Sequence, residues 1–98
     1  MIVVRNSFRV KFGRMKDVLA LMKESERAMK AMSERPHRLL TDVSGEFYTL
    51  VLEEEYNNLA DFEKVGAEMM KAPGWKDWYQ KFGALIESGR RDIYTVVA

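Results

Sequence analysis

The sequence predicts an α+β domain with four antiparallel β-strands and two helices packed on one face, in the order β-α-β-β-α-β. Three observations carry this. Apolar residues recur with a period of two at 2–12, 37–56 and 92–98, and with a period of three to four at 14–34 and again from 58 onward. Gly13, Ser44-Gly45 and Gly89 punctuate the joints. No linker, low-complexity stretch or charge block divides the chain, so residues 1–98 read as one domain, a split β-α-β sandwich.

In the first strand, "IVVRNSFRVKF" (2–12), Asn6, Phe8, Val10 and Phe12 share one side and Arg5, Ser7, Arg9 and Lys11 the other. Gly13 is expected to cap the first helix, 14–34. Met15, Val18, Leu19, Met22, Met29 and Met32 form its apolar stripe, with Lys16, Lys23, Glu24, Arg27 and Lys30 off it. Pro36 ends that helix by biasing Arg35 out of it. Residues 37–56 form a hairpin: Leu39, Thr41 and Val43 alternate up to the turn at Ser44-Gly45. Tyr48, Leu50, Leu52 and Tyr56 then oppose Phe47, Thr49, Val51, Glu53 and Glu55.

Asn58 is the expected cap of the second helix, with Asp61 near its positive end. Phe62, Val65, Met69 and Met70 form its stripe. "APG" at 72–74 interrupts it, with Pro73 in the first turn of a fresh segment running to about Ser88. Gly89 then serves as the helical stop, and "DIYTVVA" (92–98) is the last strand.

Composition narrows the function classes. Acids and bases interleave to a net charge of +1, without the one-sided basic excess of a nucleic-acid binder. The chain has no cysteine, which excludes disulfides and thiolate metal sites and suits a reducing cytoplasm. No apolar run approaches the ~20 residues of a membrane span, and the N-terminus turns charged after four apolar residues, unlike a signal peptide.

The sheet face without helices carries Arg5, Ser7, Arg9 and Lys11 from strand one and Phe47, Thr49, Val51, Glu53 and Glu55 from strand three. Strand four adds either Ile93, Thr95 and Val97 or Tyr94 and Val96. That face is too apolar to be left wet and too charged for lipid. A second copy laid sheet against sheet about a two-fold axis covers it, so a homodimer is the expected partner. Arg5 and Arg9 have two readings: a clamp for an anion inside the assembly, or cross-strand pairing with Glu53 and Glu55.

"PGWKDWYQKF" (73–82) concentrates rings on one helical face, Trp75, Trp78, Tyr79 and Phe82, with Leu85 and Ile86 continuing the series. These rings pack on the sheet, or they wall a ligand pocket in which indole N–H and phenol groups supply polar contacts. Asn6, Trp75, Trp78 and Tyr79 are the pocket candidates.

The stretches "RLLTDVSGEFYTLVLEEEYNNLADFEK" (38–64), "GWKDWYQKF" (74–82) and "ESGRRDIY" (87–94) resemble the NIPSNAP-like branch of the dimeric α/β barrel superfamily. The resemblance implies a ferredoxin-like subunit whose sheet closes a barrel with that of a second copy. It implies no single activity, since the wider superfamily includes cofactor-independent oxygenases, haem-degrading enzymes and lactone isomerases. The haem-degrading relatives carry a strand-one asparagine, a helical tryptophan and an iron-ligating histidine about three turns further on. Here Asn6 and Trp75 or Trp78 fit the first two, but Leu85 and Ser88 stand where the histidine belongs, so no haem is expected. The cofactor-independent oxygenases hold a phenolic substrate beside asparagine, tryptophan or tyrosine, the residue types of Asn6, Trp75, Trp78 and Tyr79.

His37, the sole histidine, is read as a general base or as an exposed side chain without a role. In "EEE" (53–55) only Glu53 and Glu55 share a strand face, which makes a poor metal site. The methionines on the helix stripes read as core filler. The expected function is a cytoplasmic, homodimeric NIPSNAP-like domain that binds a small apolar or aromatic molecule without strong catalysis, with no metal, cofactor, nucleic acid or membrane. The alternative is a cofactor-independent monooxygenase or isomerase acting on a phenolic or apolar metabolite.

Overall fold

Alternation at the N-terminus produces β1 (Ile2–Val10), an inner strand of a four-stranded sheet. The computed structural model describes residues 1–28 and 35–98. β2 is His37–Thr41, β3 is Thr49–Tyr56 and β4 is Ile86–Thr95; the order across the sheet is β2-β3-β1-β4 and each adjacent pair is antiparallel. The helices are α1 (Met15–Ala28), α2 (Leu59–Met70) and α3 (Trp75–Ala84). The order among the described residues is therefore β-α-β-β-α-α-β, the expected architecture with its second helix broken in two.

One sheet face carries the core. Val10 and Leu50 point from β1 and β3 at Val18, Leu21 and Met22 of α1 and Phe82 of α3, and all six are buried. The strand parity is as expected: Val4, Asn6 and Val10 are buried on this face, together with Leu50, Glu54 and Tyr56. The expected stripe positions Met29 and Met32, and helix residues 29–34, lie outside the described residues.

Several boundaries differ from expectation. β1 stops at Val10, and Lys11 instead begins a turn that accepts a hydrogen bond from Arg14 N–H (3.0 Å). The Val18 N–H donates to the Arg14 carbonyl at 3.1 Å, so Arg14 sits at the cap position and Gly13, at φ +76°, supplies the left-handed turn before it. The hairpin is a longer loop. Tyr48 has φ +60°, which breaks the strand before Thr49 and leaves Phe47 outside the sheet. Asp42 Oδ1 closes the loop by accepting from Thr49 N–H at 2.9 Å. Phe12 is also outside its strand, packed edge-on to Tyr48 at 4.9 Å on an exposed rim.

The break between α2 and α3 falls where Pro73 and Gly74 predict it. Gly74 caps α3 at φ +83°, a left-handed position, so Pro73 precedes the cap and does not occupy the first turn.

The largest correction is at the C-terminal end. α3 stops at Ala84, and the stretch read as helix to Ser88 is the start of β4. Gly89 is a strand residue opposite Phe8, not a helical stop. An irregularity between the Arg9–Ser88 and Val10–Ile86 pairs turns Ile86 onto the core. A Cβ at Gly89 would lie 3.1 Å from the Phe8 ring, which is held edge-on against Phe82 at 4.9 Å. Gly89→Val is therefore expected to lower stability by about 1–3 kcal/mol, read as a fall in urea midpoint without a change in slope.

Candidate functional site

Two places gather chemistry, one on each face of the sheet. On the helix-free face, register aligns Arg38 of β2, Glu53 of β3, Arg5 of β1 and Asp92 of β4 in one rung across all four strands. Glu53 is buried. Its two oxygens accept from Arg5 Nε at 2.7 Å and Arg38 Nε at 2.8 Å. These two hydrogen bonds, Arg38 first, hold its carboxyl below the usual carboxylate range, and the bond to Glu53 raises Arg5 in return. Of the four residues expected to be polar groups of a barrel interior, Arg5 and Glu53 thus pair across the ladder. Arg9 does not join them: it lies 3.5 Å from Glu46 and 3.5 Å from Glu87, because it faces Thr49 and Ser88 further along the strand. Glu55 lies opposite Val3 and lines the recess above the charged rung, with Tyr94 on the far side of Val3. The β4 residues on this face are Ser88, Arg90, Asp92 and Tyr94, which decides between the two parities left open by the sequence.

The second place is a cavity of about 350 Å³ between the sheet and α2 and α3. α2 buries none of its residues fully, because Phe62, Val65, Met69 and Met70 face this space. Trp75, Trp78, Tyr79 and Phe82 line it from α3, so the aromatic cluster both packs and walls a pocket. Trp78 stacks on buried Phe82 at 5.1 Å, and its indole N–H donates to the Leu21 carbonyl at 2.9 Å. Trp75 stacks on Tyr79 at 4.8 Å, and Tyr79 is more than half exposed at the rim.

The floor is polar. Asn6, buried on β1, accepts a hydrogen bond at Oδ1 from Arg91 Nε at 2.8 Å. The Arg91 guanidinium lies over the Phe62 ring at 5.3 Å. Glu54, also buried, accepts from the Tyr56 hydroxyl at 2.9 Å. Burial and the adjoining Glu54 carboxylate push the Tyr56 phenol up, so it remains a donor at neutral pH. All four candidate residues, Asn6, Trp75, Trp78 and Tyr79, border this one cavity. Glu54, Tyr56 and Arg91 were missed. The strand parity that set Glu54 apart from Glu53 and Glu55 was the usable signal for the first. Arg91 was hidden by the misplaced start of β4.

His37 is neither exposed nor idle. Its Nδ1 lies 2.7 Å from the Arg35 carbonyl and its Nε2 lies 2.9 Å from Glu26 Oε1, so both nitrogens face acceptors. The Arg35 carbonyl and Glu26 raise its pKa, in that order. A raised folded value means the contribution to stability is complete below the unfolded value of about 6.5 and fades as pH climbs through the folded one. The wild type is thus expected to lose more thermal stability than His37→Gln between about pH 6 and pH 8. Equal slopes for the two would remove the charged imidazole from the account. Arg35 itself grips Asp61 through two bonds (2.8 and 3.2 Å) and lies over Tyr56 at 4.7 Å, tying the segment just before β2 to α2 and β3.

No helix among the described residues is long and apolar enough to cross a membrane. No group of three or more metal-ligating side chains occurs among them either.

A four-stranded antiparallel sheet with its helices on one face and a cavity between the layers defines a ferredoxin-like α+β protein. The sequence matches the NIPSNAP family over residues 5–98, and the chain belongs to that family. Its fold is similar to that of a NIPSNAP family protein from Agrobacterium tumefaciens, with TM-score 0.87 and 18% identity, over 98% of this chain and 92% of that one. It is similar as well to an uncharacterised NIPSNAP domain protein from Burkholderia xenovorans, with TM-score 0.88 and 16% identity, over 100% and 96% of the two chains. A cofactor-independent oxygenase from Streptomyces nogalater shares the fold more distantly, with TM-score 0.72 and 16% identity over 97% and 91%. No curated protein matches the chain.

Proposed function

We propose that this NIPSNAP protein is a homodimer, paired through the helix-free sheet face, that binds a small apolar or aromatic molecule between the sheet and α2–α3. The observation that carries the binding reading is the cavity itself. It has the size and makeup of a small-molecule site, apolar walls over a few fixed polar groups. Native mass spectrometry of the purified protein tests it: a bound organic mass that disappears in Met69→Trp, which fills the space, supports the reading. A dry cavity that also refuses a fragment library would end it. The cytoplasm is the setting that a chain without cysteine suits.

Pairing rests on the composition of the helix-free face. Val3, Leu40, Val51 and Tyr94 flank the charged rung there, and Leu40 and Tyr94 are exposed in the single subunit. A facing copy would remove them from water while Arg5, Glu53 and Arg38 satisfy one another. Val51→Asp, placed between Leu40 and Ser7, is expected to shift sedimentation from dimer to monomer with the circular dichroism spectrum retained. A wild type that sediments as a monomer at micromolar concentration would overturn the assembly.

The second reading is a cofactor-independent monooxygenase or isomerase. It is favoured by one juxtaposition: Asn6, Trp75, Trp78 and Tyr79 surround the same space, in a fold shared with an oxygenase of that kind. Oxygen uptake against a panel of anthrones and quinols tests it. Inertness of the entire panel leaves the binding function alone.

A further inference from the structure

We infer that the occupant of this cavity is an acid: an apolar or aromatic molecule whose carboxylate pairs with Arg91. The inference rests on the binding reading above and names the class of ligand. Arg91 borders the cavity, yet it has no carboxylate within ion-pair reach among the described residues. Arg5, Arg9, Arg14, Arg35, Arg38 and Arg90 all have one. Arg91 is nevertheless held in place. Its Nε donates to Oδ1 of buried Asn6 at 2.8 Å, and its guanidinium rests over Phe62 at 5.3 Å. A neutral amide orients the group without cancelling its charge. Bonding through Nε leaves the two terminal nitrogens, the fork that matches a carboxylate, for another partner.

Among the described residues, the other charge bordering this cavity is Glu54, and its position is compatible. It stands on β3 and Arg91 on β4, with β1 between them, so their backbones are on the order of 10 Å apart. Tyr56 donates to Glu54 at 2.9 Å and moderates its negative field. A carboxylate at Arg91 therefore sits at the far side of the floor, with its apolar body running under Trp75, Trp78, Met69 and Val65. The ionised head lies at an exposed arginine near solvent, which spares it full desolvation.

Calorimetric titration with 2-naphthylacetate and its neutral counterpart 2-naphthaleneethanol tests this. The acid is expected to bind at least about tenfold more tightly than the alcohol, the worth of one charge-assisted pair. Arg91→Gln should bring the acid-to-alcohol affinity ratio to about one, and Arg91→Lys should keep part of the preference. Glu54→Gln should raise the preference for the acid over the alcohol a few-fold, by removing a like charge. Equal affinity of acid and alcohol for the wild type, or a preference that survives Arg91→Gln, overturns the inference and leaves the binding function standing. Failure of both probes to bind the wild type removes the binding function and the inference with it.

Discussion

Phe82→Ala is expected to lower stability by about 3–5 kcal/mol, while Trp75→Ala, two helical turns earlier on the same face, costs no more than about 1–2 kcal/mol. The difference follows from what each ring touches. Phe82 is buried and joins both layers: it stacks on Trp78 at 5.1 Å, meets Phe8 of β1 edge-on at 4.9 Å, and belongs to the cluster with Val18 and Leu50. Its removal opens a hole walled by strands and two helices, which cannot collapse together. A domain of this size has only about 5–15 kcal/mol to lose, so the variant should unfold at a far lower urea concentration. Trp75 is half-buried and stacks on the exposed Tyr79 at 4.8 Å. Its loss enlarges a space that is already open. The functional ranking is expected to reverse: Trp75→Ala should weaken an aromatic ligand roughly tenfold, one aromatic contact with its buried area, in a protein that is still folded. If Trp75→Ala proves as destabilising as Phe82→Ala, the cavity does not exist in solution and the rings simply close the core.

How far the residues themselves disclosed this arrangement depends on how each is buried. β1 and β3 are covered on one face only, so their alternation is clean, and the parity of Asn6 and of Glu53 against Glu54 could be read directly. The i, i+3, i+4, i+7 spacing of Trp75, Trp78, Tyr79 and Phe82 identified one helical face, and all four line one cavity. That half of this face packs and half walls a pocket depends on where α2 sits, which periodicity does not encode. β4 was the failure. It is an edge strand, mostly exposed, with an irregular start and a glycine opposite a phenylalanine, so "IESGRRD" shows neither alternation nor apolar content. Placing its start at 92 removed Arg91 from view, and with it the one cavity cation that has no counter-ion among the described residues. The role of His37 is not legible in the sequence because its partners, the Arg35 carbonyl and Glu26, come from the bend before β2 and from α1.

Glu53→Gln removes a single charge and is expected to cost about 2 kcal/mol, with a pH dependence that identifies the cause. Glu53 stands between two guanidiniums, with Arg5 at 2.7 Å on one oxygen and Arg38 at 2.8 Å on the other. A glutamine can accept from one arginine through its oxygen, but it turns an amide N–H₂ toward the other. Donor then faces donor across the β2–β3 or β3–β1 ladder. The cost stays below the roughly 3–5 kcal/mol of a fully buried broken pair, because the two arginine side chains remain 42% and 68% exposed and water screens them. The folded pKa of Glu53 is depressed, so its contribution is fully present above the unfolded value of about 4.3 and is lost as pH falls through the folded one. Wild type and Glu53→Gln should therefore converge in stability in strong acid, separate as pH rises through the depressed folded value, and hold a constant gap above about pH 5. Glu55→Gln, on the same face opposite Val3, is the control and should stay within about 0.5 kcal/mol of wild type across the range. All three are compared at one chain concentration, so that self-association of the proposed kind would act on them equally. A constant gap between wild type and Glu53→Gln down to strong acid would mean that the carboxylate acts through shape and not through charge. The rung of Arg38, Glu53, Arg5 and Asp92 would then be a consequence of the fold and not one of the interactions that hold it.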